Sequence, residues 1–134
     1  MVYVLLETTS STEPRVAGYF AICPTLVVRE GMPKPLHRNL LRSTPAWLLA
    51  KLALDQSLRG DKEHQWGWQL LRAALETIVE AAAMGGGQVI VVDADNPGLI
   101  GWYSRHGFKA TGGESLRLYM KVATAHKYLA DGQE

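Results

Sequence analysis

The chain has a single cysteine, Cys23, so no internal disulfide braces it and a reducing compartment suits it. Cys23 follows the apolar residues Tyr19 to Ile22, the setting of a buried, inert thiol rather than a nucleophile. The net charge is only +1, which removes an overall basic field as grounds for nucleic-acid binding. No apolar run approaches membrane-spanning length, and Val2 to Leu6 reads as a strand rather than a basic leader. A soluble, cytoplasmic protein without membrane contact is the expectation. Metal-ligand spacing is missing as well: His37, His64 and His106 form no set with one another or with Cys23.

What remains is apolar enough to fold alone. With 134 residues and 47% hydrophobic content, the chain makes one domain with a real core, and no repeats divide it. Residues 2–7 and 15–28 read as strands, with Pro24 marking an edge or a bulge in the second. Residues 29–43, with Gly31, Pro33 and Pro35, read as a long surface loop, and 47–54 as a strand covered on both faces. Leu70, Leu71, Ala74, Leu75, Ile78, Val79 and Ala82 recur at helical spacing, which predicts an amphipathic helix over 69–83 ended by Gly85, Gly86 and Gly87. Val89 to Val92 reads as a buried parallel strand. Asn96 as cap, Pro97 at the first position and Gly107 at the exit frame a short second helix. A hairpin follows, from Phe108 through Gly112 and Gly113 to 116–122, and then a short terminal helix over 123–129. The order β-β-β-α-β-α-β-β predicts a mixed α+β fold rather than a doubly wound sheet.

The most informative stretch runs from Leu52, Ala53, Leu54 and Asp55 through Arg59 and Gly60 to Gly67, Trp68, Leu70 and Leu71. A strand, a glycine-bearing loop and a helix start place free N–H groups and the positive end of a helix dipole at the mouth of a sheet. That arrangement holds phosphates. Trp66 and Trp68 flank Gly67; one stacking on an adenine competes with simple filling of the helix–sheet interface.

Taken in order, residues 45–55, Gly67 with Leu70 and Leu71, Val91 to Ala94, and Trp102 and Tyr103 with Gly107 and Phe108 resemble the GNAT superfamily of N-acetyltransferases. Within it the chain is most similar to the toxin-type acetyltransferases of bacterial toxin–antitoxin modules. The resemblance covers nearly the whole chain. It implies a mostly antiparallel sheet with a central, splayed parallel pair and helices packed on it. It also implies acetyl-CoA in the gap between the strand ending at Leu54 and the strand 89–92. Main-chain groups of Leu52, Ala53 and Leu54 would align the cofactor arm, Arg59, Gly60, Gly67 and Trp68 would surround the pyrophosphate, and Asn96 would lie along the pantetheine. Tyr103 matches the family tyrosine that protonates the departing thiolate. Neither Asp55 nor Asp93 emerges as a base, so none is assigned. The toxin-type likeness further implies aminoacyl-tRNA as acceptor and a ribbon-helix-helix antitoxin as partner.

Two departures from the family pattern carry consequences. Gln65 stands where the family loop has a glycine, and about three extra residues fall within 61–64. The insertion costs folding only about 0.4 kcal/mol. Losing two charge-assisted phosphate bonds, at roughly 1.5–3 kcal/mol each, would weaken binding by roughly two to four orders of magnitude. The family's first strand and two helices also have no counterpart before Val2, which predicts an apolar sheet face that self-associates or takes a covering partner. Three functions therefore stand beside one another: an acetyltransferase acting on aminoacyl-tRNA, a non-catalytic binding or assembly module of the same fold, and an acetyltransferase for a small metabolite amine. The basic residues Arg29, Lys34, His37, Arg38 and Arg42 are read either as solubilising charge or as contacts to tRNA phosphates.

Overall fold

Runs of β-branched and aromatic residues produce the long strands β1 (Val2–Glu7), β2 (Arg15–Val28) and β3 (Ser43–Leu54). The computed structural model describes residues 1–7, 15–56, 59 and 65–131. Within them β4 (Val89–Asp93), β5 (Lys109–Ala110) and β6 (Arg117–Lys121) complete one sheet in the order β1-β2-β3-β4-β6-β5. Every pairing is antiparallel except β3 with β4. The mixed fold with a central parallel pair is as the sequence predicts. Pro24 lies past the stretch of β2 that pairs with β1, where only β3 flanks it, so its missing N–H leaves no ladder bond unmade.

One irregularity shapes the molecule. Leu49 pairs with Ile22 and Lys51 with Ala21, leaving Ala50 as an extra residue, a β-bulge. The parallel ladder stops at the same place: it runs from Ala46 opposite Val89 to Leu49 opposite Val92. Beyond it β3 continues to Leu54 beside β2, without β4. The two central strands therefore splay.

Helix α1 (Trp66–Gly85) lies on one sheet face with Leu70, Leu71, Ala74, Leu75 and Ile78 buried, the predicted stripe. It starts earlier than residue 69, with Gln65 in the left-handed region (φ 50°) before it. Its end is tied to β3: Gly86 (φ 85°) accepts from Trp47 Nε1 at 2.9 Å. Helix α2 (Ile100–Arg105) follows a single 3-10 turn, Pro97–Leu99, and α3 (Val122–Asp131) leaves β6 with no intervening loop. Asn96 precedes the 3-10 turn, but its side chain makes no capping bond; only its carbonyl accepts, from Leu99 N.

The segment read as a surface loop is instead a strap across the opposite face. Two 3-10 turns, Arg29–Gly31 and Lys34–Leu36, lower Met32 (4% exposed) and Leu40 (7%) onto Val89, Val91 and Tyr119. Arg29 Nη1 donates to Leu40 O at 3.1 Å, and His37 Nε2 meets Met32 O at 2.8 Å, so two of the five basic residues staple the strap. β3 begins at Ser43, ahead of residue 47, because Thr44 is buried and its Oγ1 donates to Leu41 O at 2.6 Å. Over β1 and β2 the same face is open: Val2 (66%), Val4 (52%) and Tyr19 (37%) are exposed. Among the described residues, these exposed apolar side chains lie at the β1–β2 edge of the sheet. The polar stretch 8–14, the proposed insertion within 61–64, Gly60 and residues 132–134 lie outside the described residues.

Candidate functional site

The splay opens a cleft of about 790 Å³. Leu52 and Leu54 from the diverging end of β3 form one side, the first turn of α1 another, and the β4–α2 connection with α2 the third. Of the residues predicted to hold a cofactor, Leu52, Leu54, Arg59, Gly67, Trp68 and Asn96 line it, as does Tyr103. Ala53, between two cleft-facing leucines, turns its side chain to the other face beside Tyr19. Gly60 lies outside the described residues.

The start of α1 is the electropositive end of a 20-residue helix with no acidic residue in its first turn and no side-chain cap. The ladder begins with Gln69 N donating to Gln65 O at 3.1 Å, so the amides of Gly67 and Trp68 precede it and no helix carbonyl engages them. A Cβ on Gly67 would meet only Trp102 Cζ2 at 3.6 Å, so the backbone here is bare toward the cleft and the fold itself does not demand glycine. Arg59 is exposed, and its Nε is pinned to the Leu54 carbonyl at 3.0 Å, which ties the guanidinium to the end of β3.

Tyr103 is 5% exposed, yet it lines the cleft. Its hydroxyl has no hydrogen-bond partner among the described residues. No buried side-chain polar atom among them is unsatisfied, so the hydroxyl reaches the cleft surface. Burial, with the Asp95 carboxylate second, pushes the phenol up to about 12. The ring is fixed edge-on against Trp102 (5.0 Å) and Phe108 (5.7 Å).

Asp93 is not free to take protons. Arg117 grips it through two bonds of 2.7 and 2.9 Å, and that hydrogen bonding holds the carboxyl below its ordinary range. The pair closes the end of β4 against β6, a structural task that leaves Asp93 no part as a base. No group of His, Cys, Asp or Glu among the described residues is placed to hold a metal ion.

The sequence pattern did not reveal Asp95, Leu99, Trp102 and His106 in the cleft wall. A partial signal was present: Trp102 and His106 stand four apart, hence on one face of a helical turn, next to Tyr103. Their third partner, Trp68, is distant in sequence and stacks flat on His106 (4.7 Å, 2°).

A six-stranded mixed sheet, splayed at its one parallel pair and opening beside a bare helix start, defines the class: this is a domain of the GNAT fold. No family model matches the chain. Solved structures do. A tyrosine-to-phenylalanine variant of KacT superposes with TM-score 0.81 at 24% identity, over 94% of this chain and 73% of that one. AtaT complexed with acetyl-methionyl-tRNAfMet gives TM-score 0.80 at 25% identity, again over 94% and 73%. AtaTR bound with acetyl-CoA gives 0.75 at 26%, over 94% and 72%. AtaT, a toxin, has also been solved with the C-terminus of its antitoxin AtaR. Within the GNAT fold the chain is similar to these toxin-type acetyltransferases of toxin–antitoxin modules. Among the described residues no helix is long and apolar enough to cross a membrane.

Proposed function

We propose that the chain transfers an acetyl group from acetyl-CoA to the amino group of aminoacyl-tRNA. The observation that carries this reading is the convergence of the splayed end of β3, the bare start of α1 and the Tyr103 hydroxyl on one cleft. The likeness to AtaT, solved with an acetylated methionyl-tRNA, supports the acceptor class.

In this reading the amides of Gly67 and Trp68 and the Arg59 guanidinium receive the diphosphate, Asn96 lies along the pantetheine, and main-chain groups of Leu52, Ala53 and Leu54 align the thioester. The neutral amine attacks the thioester carbonyl, the C–N bond forms and the C–S bond breaks. Tyr103 O–H delivers a proton to the leaving sulfur, and the proton shed by the amine restores the phenol through water. A phenol near 12 lies about 3 to 4 pK units above a typical thiol, so complete donation in isolation is uphill by roughly 5 kcal/mol. Donation and replacement must therefore be coupled, and Tyr103 acts as a hydrogen-bond donor that tightens as the bond to sulfur breaks.

Of the five basic strap residues, Lys34, Arg38 and Arg42 are exposed and serve the RNA backbone, while Arg29 and His37 hold the strap together. A ribbon-helix-helix antitoxin is the proposed protein partner, and the exposed Val2, Val4 and Tyr19 row the proposed surface for self-association. A monodisperse monomer that binds no apolar dye would count against the latter. Calorimetric titration with acetyl-CoA tests the core of the reading: no heat at millimolar cofactor removes it, leaving a binding module of the same fold. Labelled acetyl transfer to charged tRNA, compared with small amines, then decides the acceptor.

A further inference from the structure

One side chain in the cleft is held far more firmly than packing requires. His106 stacks flat on Trp68 from the first turn of α1 (4.7 Å, 2°), and Trp102 closes against it edge-on (4.8 Å, 68°). The two contacts set the plane of the ring. Its Nδ1 lies 3.2 Å from the hydroxyl of Tyr128 on α3, and Tyr128 also packs edge-on against Trp68 at 5.3 Å. Nε2 has no partner among the described residues. No buried side-chain nitrogen among them is unsatisfied and His106 lines the cleft, so Nε2 lies at the cleft surface.

We propose that Tyr128 donates its hydroxyl proton to Nδ1 of His106, which leaves the ring proton on Nε2 and makes it a donor, beside the start of α1, for a phosphate oxygen of the acetyl donor. This assignment rests on the acetyl-CoA reading. A phenol is a good donor and a neutral imidazole nitrogen a good acceptor, and the partner of one ring nitrogen decides which proton the other carries. Burial, with Arg105 second, lowers the imidazole from its ordinary value, which favours the neutral ring that this relay needs. The stack sets the ring next to the third residue of α1, so Nε2–H and the amides of Gly67 and Trp68 can address the same anion. The opposite tautomer would turn a lone pair toward the phosphate and repel it. His106 is thus a binding residue and Tyr128, behind it, a positioning residue.

Nitrogen-15 NMR of the wild-type imidazoles reads the tautomer without any ligand. The assignment expects a neutral His106 protonated on Nε2, with the Nδ1-protonated form gaining population in Tyr128→Phe. Titrations with acetyl-CoA and with S-acetylpantetheine, which keeps the thioester arm but carries no phosphate, read the ligand side. His106→Phe preserves the flat stack and removes the donor; it should weaken acetyl-CoA by at least about ten-fold and leave S-acetylpantetheine unchanged. His106→Gln, which keeps an N–H, should fall between. A wild-type ring protonated on Nδ1 overturns the relay even if the variants fail to fold. Wild-type binding matched by His106→Phe overturns the phosphate contact alone. No binding of acetyl-CoA by the wild type overturns the acetyl-CoA reading and this assignment with it.

Discussion

Replacing Gly67 with alanine should make the fold more stable and the site worse. The added methyl would meet only Trp102 Cζ2, at 3.6 Å, which is ordinary van der Waals contact, and Gly67 is not among the residues with positive φ. Alanine exceeds glycine by about 1 kcal/mol in a helix interior; in this first turn about half of that is a fair expectation, or a melting point higher by roughly 2 °C. The ligand sees the change differently. An anionic oxygen approaching an amide to about 2.9 Å needs bare backbone beside it, and the methyl stands on the cleft side of that approach. Losing one or two charge-assisted bonds of roughly 1.5–3 kcal/mol each would weaken acetyl-CoA by roughly ten- to ten-thousand-fold. Thermal unfolding and calorimetry on the same preparation give both numbers. An affinity within about two-fold of wild type, alongside the raised melting point, would show that no phosphate sits at the start of α1.

Tyr103→Phe should lower turnover by roughly 10²- to 10⁴-fold while acetyl-CoA affinity stays nearly constant. With the phenol pushed up to about 12, any loss of rate between pH 8 and about 11 must come from another group; a basic limb in that range that vanishes in the phenylalanine variant would refute the assignment. His106 makes the fold sensitive to acid. Its folded-state pKa is depressed by burial and Arg105, so below about 6.5 the unfolded chain binds more protons and stability falls as pH falls toward the folded value. Tyr128 meets its Nδ1, and Tyr103, Asp95 and Arg59 share its cleft; urea unfolding of His106→Phe should show a shallower loss between pH 7 and 5. On the strap, Lys34→Ala, Arg38→Ala or Arg42→Ala should each reduce the slope of log affinity for tRNA against log salt by somewhat under one, while substituting Arg29 should instead loosen the strap. A salt slope that none of the three changes would remove the strap from the RNA contact.

Much of the architecture was legible because it rests on periodicity. The α1 stripe and the long apolar strands need burial on a fixed face, and a period of 3.6 or 2 records that directly. The features that leave no mark in the sequence depend on contacts with no local pattern. Met32 and Leu40 are isolated apolar residues among prolines and cations, so their burial onto Val91 and Tyr119 leaves no periodic mark. The early start of α1 was hidden because Trp66, Gly67 and Trp68 are weak helix formers and Gln65 is no conventional cap. Tyr103 and Asn96, which line the cleft, are singled out in the sequence by the family resemblance rather than by a physical pattern. His106 has no metal-ligand spacing in the sequence, and its stacking partner Trp68 and its hydroxyl partner Tyr128 come from α1 and α3, far along the chain.

The bulge at Ala50 is the structural cause of the cleft, and it explains why a nearly continuous apolar run, broken only by Lys51, can make one. Trp47 and Leu49 face the helices, so regular alternation would place Lys51 with them and send Leu52 and Leu54 to the opposite face. Ala50 absorbs one residue. Leu52 and Leu54 then join Leu49 on the helix side, opposite Phe20 and Gly18, and Lys51 and Ala53 go to the other. Because the parallel ladder ends at Leu49, the same step that turns the leucines inward also carries β3 away from β4 and leaves its free edge beside the first turn of α1. Without the bulge, the charged side chain of Lys51 would enter the apolar wall and the two central strands would have no local reason to part. A sequence pattern with neither glycine nor proline at the bend thus conceals the one backbone irregularity on which both the width of the cleft and the identity of its lining depend.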